Sequence, residues 1–138
     1  MRITLFFVLL VSWLSADAQE NQRLRDSILK YQFLNPNLAI EYGMEYVENR
    51  SGDDPDHEMV RTYSKIGEIL LYMELYSSSL EYFNSALRIL RSIKKVEDGR
   101  RSYSKTDPPW IVLNIGNIYF KNRNYEKALE KFEEARKL

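Results

Sequence analysis

The chain has no cysteine. Disulfides, thiolate metal sites and a cysteine nucleophile are excluded together. Glycine is scarce, with five residues in 138, and proline contributes only four. That scarcity, beside many large apolar side chains, favours helices over a loop-rich fold. There is no Gly-x-Ser-x-Gly turn and no Gly-rich phosphate loop, so neither a strained serine nucleophile nor a phosphate cradle is encoded. An excess of one charge is missing too. Twenty basic and twenty acidic residues sum to zero, which leaves no global field to gather nucleic acid or an anionic membrane. A single histidine, His57, would have to serve any Ser-His-acid triad alone.

What is present begins with the leader. MRITLFFVLLVSWLSADAQE opens with Arg2, continues as an apolar run from Ile3 to Leu14, and ends in the small-x-small sequence Ala16-Asp17-Ala18. This is the three-part pattern of a secretory signal peptide. The run is short for a membrane span, which takes roughly 20 residues. No cysteine follows it, so a lipid-anchored start is excluded. The pattern predicts cleavage after Ala18 and a mature chain from Gln19 to Leu138, in the periplasm or cell envelope or secreted. The alternative is an uncleaved N-terminal anchor. Outside the cytoplasm there is no ATP pool, which argues against phosphoryl transfer.

Beyond the leader the apolar period is helical. Val60, Tyr63, Ile66, Ile69, Leu70 and Tyr72 recur close to every 3.6 residues, and so do Leu80, Phe83, Ala86, Leu87, Leu90, Ile93 and Val96. The predicted helices pair into three hairpins, over residues 21–49, 55–97 and 107–138. Turns are read at Asn35-Pro36, RSGDDPDHE, EDGRRSYSKTD and NRN. Asp54 with Pro55, and Asp107 with Pro108-Pro109, are expected to start helices, because an aspartate caps free N–H groups and proline fits a first turn.

One pattern is written twice. IGEILLYMELYSSSLEYFNSA at 66–86 and IGNIYFKNRNYEKALEKFEEA at 115–135 share eight of 21 positions at an offset of 49. The shared residues include Gly67/Gly116, Tyr76/Tyr125, Phe83/Phe132 and Ala86/Ala135. A mid-helix glycine costs roughly 1 kcal/mol relative to alanine, so packing must compensate. A hairpin with apolar residues on more than one face cannot bury them alone; stacking on a neighbour completes the core.

The last copy resembles a tetratricopeptide repeat (TPR): Gly116, Tyr119, Tyr125, Ala128, Phe132 and Ala135 match that family's pattern. The middle copy keeps Gly67, Tyr76, Phe83 and Ala86 but has Leu70 for the aromatic and Ser79 for the first alanine. In the first hairpin Ala39 matches, while Gly43 and Tyr46 depart. Offsets of 40 and 49 exceed the family's usual 34. The resemblance implies an all-α fold of antiparallel helical hairpins, stacked as a short TPR-like solenoid over residues 19–138. It also implies a concave groove lined by the first helix of each pair. The corresponding positions are Arg61, Ser64, Glu68, Leu71 and Tyr72, then Trp110, Leu113, Asn117, Phe120 and Lys121. This mixture of aromatic, apolar and polar side chains suits an extended peptide or a partner helix. It departs from the family's carboxylate-clamp type, for which only Asn117 fits.

Other candidate chemistry is weaker. His57 lies among Asp53, Asp54, Asp56 and Glu58, and clustered carboxylates can hold a hard cation. Acids also gather at a helix start, where the helix dipole favours them, and the spacing fits no calcium loop. Glu126, Glu130, Glu133 and Glu134 are interleaved with lysines as on a solvated face, with Glu133–Lys137 as a favourable pair. Residues 88–105 are basic and would suit an acidic partner or lipid headgroups, or simply form a solvated face.

The sequence therefore predicts a non-enzymatic, exported scaffold that binds a protein or peptide. It predicts no cofactor, no nucleic acid and no small-molecule substrate. An alternative is the extracytoplasmic sensor part of a longer signalling protein, such as a histidine kinase or transcriptional regulator. A metal-dependent hydrolase is the remote third. Solenoids usually need about three repeats, so further repeats beyond Leu138 or self-association are expected to cover the last helix.

Overall fold

The computed structural model describes residues 2–50, 56–94 and 108–138. Six helices are found among them: α1 (Arg2–Tyr31), α2 (Pro36–Asn49), α3 (His57–Tyr72), α4 (Tyr76–Lys94), α5 (Pro108–Lys121) and α6 (Tyr125–Lys137). No strand occurs among the described residues. The fold is all-α, as the apolar period requires. The chain divides into two units, Met1–Asn49 and Arg50–Leu138.

In the first unit α1 packs against α2, burying Leu24 and Ile28 on one helix and Ala39, Gly43 and Tyr46 on the other. Asn35 starts α2 by accepting a hydrogen bond from the Leu38 amide through its side chain. α1 is continuous from Arg2 to Tyr31, so the helix predicted from residue 21 begins far earlier, and no break marks Ala18. Among the described residues no helix is long and apolar enough to cross a membrane.

The second unit holds two hairpins, α3–α4 and α5–α6, joined where α4 and α3 pack against α5. Asp56 is the N-cap of α3. Its carboxylate accepts from the Met59 amide at 2.8 Å and pairs with Arg50 at 2.6 Å. The cap is thus Asp56 rather than the expected Asp54, which lies outside the described residues together with Pro55, Asp53 and Asp107. The start of α5 at Pro108 agrees with expectation. The basic run beyond Lys94 is also outside the described residues.

The two turns share one geometry. Glu74 and Arg123 both adopt φ 60. The Leu75 amide reaches back to the Leu70 carbonyl and the Asn124 amide to that of Tyr119, each at 2.9 Å. These bonds satisfy carbonyls that the helix end leaves free.

The repeated residues explain the hairpins. A Cβ on Gly67 would stand 3.1 Å from the Phe83 ring, and one on Gly116 would stand 2.5 Å from the Phe132 ring. Each glycine makes room for the phenylalanine of its paired helix, so a side chain rather than the opposite backbone takes the space. Val60, Phe83, Ala86, Leu87, Leu90, Ile93, Ile111, Val112, Ile115 and Ile118 form one continuous core between the hairpins.

Candidate functional site

The candidate face lies on α3 and α5, the first helices of the second unit's hairpins, which touch one another. Apolar spacing turns the Ile111, Ile115 and Ile118 side of α5 into the core. That leaves Leu113, Asn117 and Phe120 on the opposite stripe, since residues three and four apart share a helix face. Leu113 and Phe120 are exposed and Asn117 is half-buried. Lys121 follows, exposed.

On α3 the same register behaves differently. Arg61 is exposed and pairs with Glu58 at 3.1 Å. Glu68 is half-buried and bound by Lys65. Tyr72 is 76% exposed. Ser64 is buried, and Leu71 packs against the core. Trp110 likewise lies half-buried against that core. The surface that reaches solvent therefore consists of Arg61, Tyr72, Leu113, Phe120 and Lys121, with Glu68 and Asn117 partly accessible. Ser64, Leu71 and Trp110 contribute mainly to packing beneath it.

Two polar atoms under this face are conspicuous. Ser64 Oγ and Trp110 Nε1 are buried without a hydrogen-bond partner among the described residues. A buried donor left unsatisfied costs roughly 1–3 kcal/mol. Both atoms belong to helices that frame the groove.

The face carries little fixed charge of its own. The Arg61 and Lys65 charges are each engaged by a glutamate one turn away, leaving Lys121 at the end of α5. Such a surface offers apolar and aromatic contact with a few polar anchors, which is the composition of peptide-recognising grooves. Among the described residues no cluster of three or more His, Cys, Asp or Glu side chains is placed to hold a metal ion. Asp56, from the acidic cluster, is instead occupied by the α3 amide and Arg50.

Two neighbours of the face were not singled out as binding residues from the sequence. Tyr125 and Leu129 on α6 are each 60% exposed, and the Tyr125 ring stands edge-on to Phe120 at 5.6 Å. Their i, i+4 spacing in an otherwise charged helix was the available signal. α6 also differs in its ion pairing. Glu134 binds Lys131 at 2.6 Å and raises the lysine above its ordinary pKa range. The expected Glu133–Lys137 pair is not formed.

The family model for the tetratricopeptide repeat matches residues 111–138, which span most of α5 and all of α6. Repeats of this family are typically non-catalytic interaction modules that bind proteins or peptides. Searches of curated proteins and of solved structures give no match.

Proposed function

We propose that this chain is an exported scaffold that binds a peptide or partner protein along the α3–α5 face. The observation that carries the reading is the exposed Leu113–Asn117–Phe120 stripe of α5, lying within the matched repeat. Apolar side chains held on a rigid helix give contact area at low entropic cost, and the neighbouring Asn117 supplies a donor and an acceptor for a peptide backbone. Export is supported by Arg2, the Ile3–Leu14 run and the Ala16-Asp17-Ala18 site. An engaged sensor module in a longer signalling protein would use the same face.

Peptide selection against the chain from Gln19, by phage display, tests the binding half. Selected peptides are expected to lose at least tenfold in affinity with Asn117→Ala or Phe120→Ala. They should be unaffected by Arg88→Ala on the exposed side of α4. Peptides indifferent to both groove substitutions would refute the reading. N-terminal sequencing of the protein from its envelope fraction tests export, with Gln19 expected as the first residue. A Met1 start there would make the leader an anchor instead.

A further inference from the structure

The second helices of the two hairpins in the second unit carry the same apolar register, and only α4 has a helix seated on it. Tyr76, Leu80 and Phe83 of α4 pack into the core that α5 completes. Their counterparts Tyr125, Leu129 and Phe132 on α6 form a stripe that nothing among the described residues covers, with Tyr125 and Leu129 largely exposed. This stripe runs on from the exposed ring of Phe120. The α4–α5 contact shows what such a stripe accepts: one apolar helix face, here Ile111, Val112, Ile115 and Ile118.

Charge selects among helices. Glu126, Glu130 and Glu133 are all exposed and lie along one edge of the stripe, because positions three and four apart share a helix edge. None forms an ion pair among the described residues. The nearby cations are turned elsewhere: Lys131 is held by Glu134, and the Lys127 ammonium lies over the Tyr119 ring. Arg136 and Lys137 close the stripe at the end of the helix. α4 has no such edge at the matching places, where Ser77, Glu81 and Asn84 stand.

We propose that the α6 stripe is a second docking surface, whose occupant is an amphipathic helix of a partner protein with lysine or arginine along one edge of its apolar face. The apolar stripe supplies contact and the unpaired glutamates supply the choice of partner and its direction. The partner's cations lie against the first turns of α6, away from Arg136 and Lys137. This surface is separate from the Leu113–Asn117 stripe and does not depend on that stripe being occupied.

Two synthetic helical peptides test the proposal. Both carry the apolar register of α5; one has lysine along the flanking edge and the other glutamate. By calorimetric titration the lysine peptide is expected to bind at least tenfold more tightly, with affinity falling as salt rises. Leu129→Glu should abolish binding, and circular dichroism should show the fold retained, because Leu129 is mostly exposed. Reversing Glu126, Glu130 and Glu133 to lysine should transfer the preference to the glutamate peptide. Asn117→Ala should leave this binding unchanged, which separates it from the α3–α5 face. Equal binding of the two peptides, or none by either, would overturn the proposal. So would a concentration-dependent dimer in sedimentation that Leu129→Glu dissolves, since the occupant would then be a second copy of this chain.

Discussion

α4 and α6 are nearly the same helix in two environments. Both begin with tyrosine at the turn, place leucine four residues on, phenylalanine after seven and alanine after ten. Phe83 is 0% exposed and Ala86 is fully buried, whereas Phe132 and Ala135 are only half-buried. The first pair is enclosed by α3 on one side and α5 on the other. The second pair has α5 alone among the described residues. Burial here is conferred by the next helix in the stack and not by the residue types, as expected where each repeat contributes one face of a core completed by its neighbour.

The sharpest way to expose the difference is to delete the same ring twice. Phe83→Ala should cost about 3–5 kcal/mol, because the cavity it leaves is closed on every side. Phe132→Ala should cost about 1–2 kcal/mol, since only part of its area leaves water on folding. Chemical denaturation of the two variants measures both. Equal losses would mean that α6 is as enclosed in solution as α4, and the comparison would fail.

The paired glycines sharpen the same contrast from the other helix. Alanine at either site gains about 1 kcal/mol of helix propensity. At Gly67 the new methyl meets the Phe83 ring at 3.1 Å, and that ring has no open side. Overpacking of this kind costs about 1–3 kcal/mol, so Gly67→Ala should be destabilising by up to about 2 kcal/mol net. At Gly116 the clash is closer, at 2.5 Å, yet the half-buried Phe132 ring can turn toward solvent. Gly116→Ala is therefore expected to fall within about 1 kcal/mol of the parent, its propensity gain offset by the displaced ring. Thermal melts of the two variants rank them. A larger loss at Gly116 would show that Phe132 is locked.

The helical period and the duplicated Gly–Tyr–Phe–Ala pattern carried the fold, because packing of this kind repeats at fixed positions. The first hairpin was harder to read for a physical reason. Where α4 has Phe83 and Ala86, α2 has Gly43 and Tyr46, and both of these are buried. The aromatic and the small residue have exchanged places, which keeps the total volume while breaking the motif; cores tolerate such swaps. Asp54 was chosen as a cap because it precedes a proline, but Asp56 has the side-chain geometry that reaches an α3 amide. In the groove, spacing placed all ten residues on α3 and α5 correctly as to face. It could not tell Ser64, which is buried, from Leu113 at the equivalent position, which is exposed. Exposure of a helix stripe depends on what stacks beside it, and that is a property of the array.

The smallest expected effect concerns Ser79, which stands where the last copy has Ala128. Its buried hydroxyl donates to the Gly67 carbonyl at 2.7 Å and so ties α4 to α3. In mid-helix that carbonyl has its own amide partner four residues on, so Ser79→Ala removes a bond without orphaning an acceptor. The expected loss is about 0.5–1.5 kcal/mol. The reciprocal change tests whether the two hairpins are built on one frame. Ala128 is buried at the matching position, facing a helix that carries Gly116, so Ala128→Ser should present a hydroxyl to the Gly116 carbonyl. If the frames coincide, the new bond offsets the desolvation of the hydroxyl and stability changes by less than about 0.5 kcal/mol. A loss of about 1–3 kcal/mol, the cost of a buried hydroxyl with no partner, would show that α5 and α6 are spaced differently from α3 and α4. The likeness of the two copies would then stop at sequence and turn geometry.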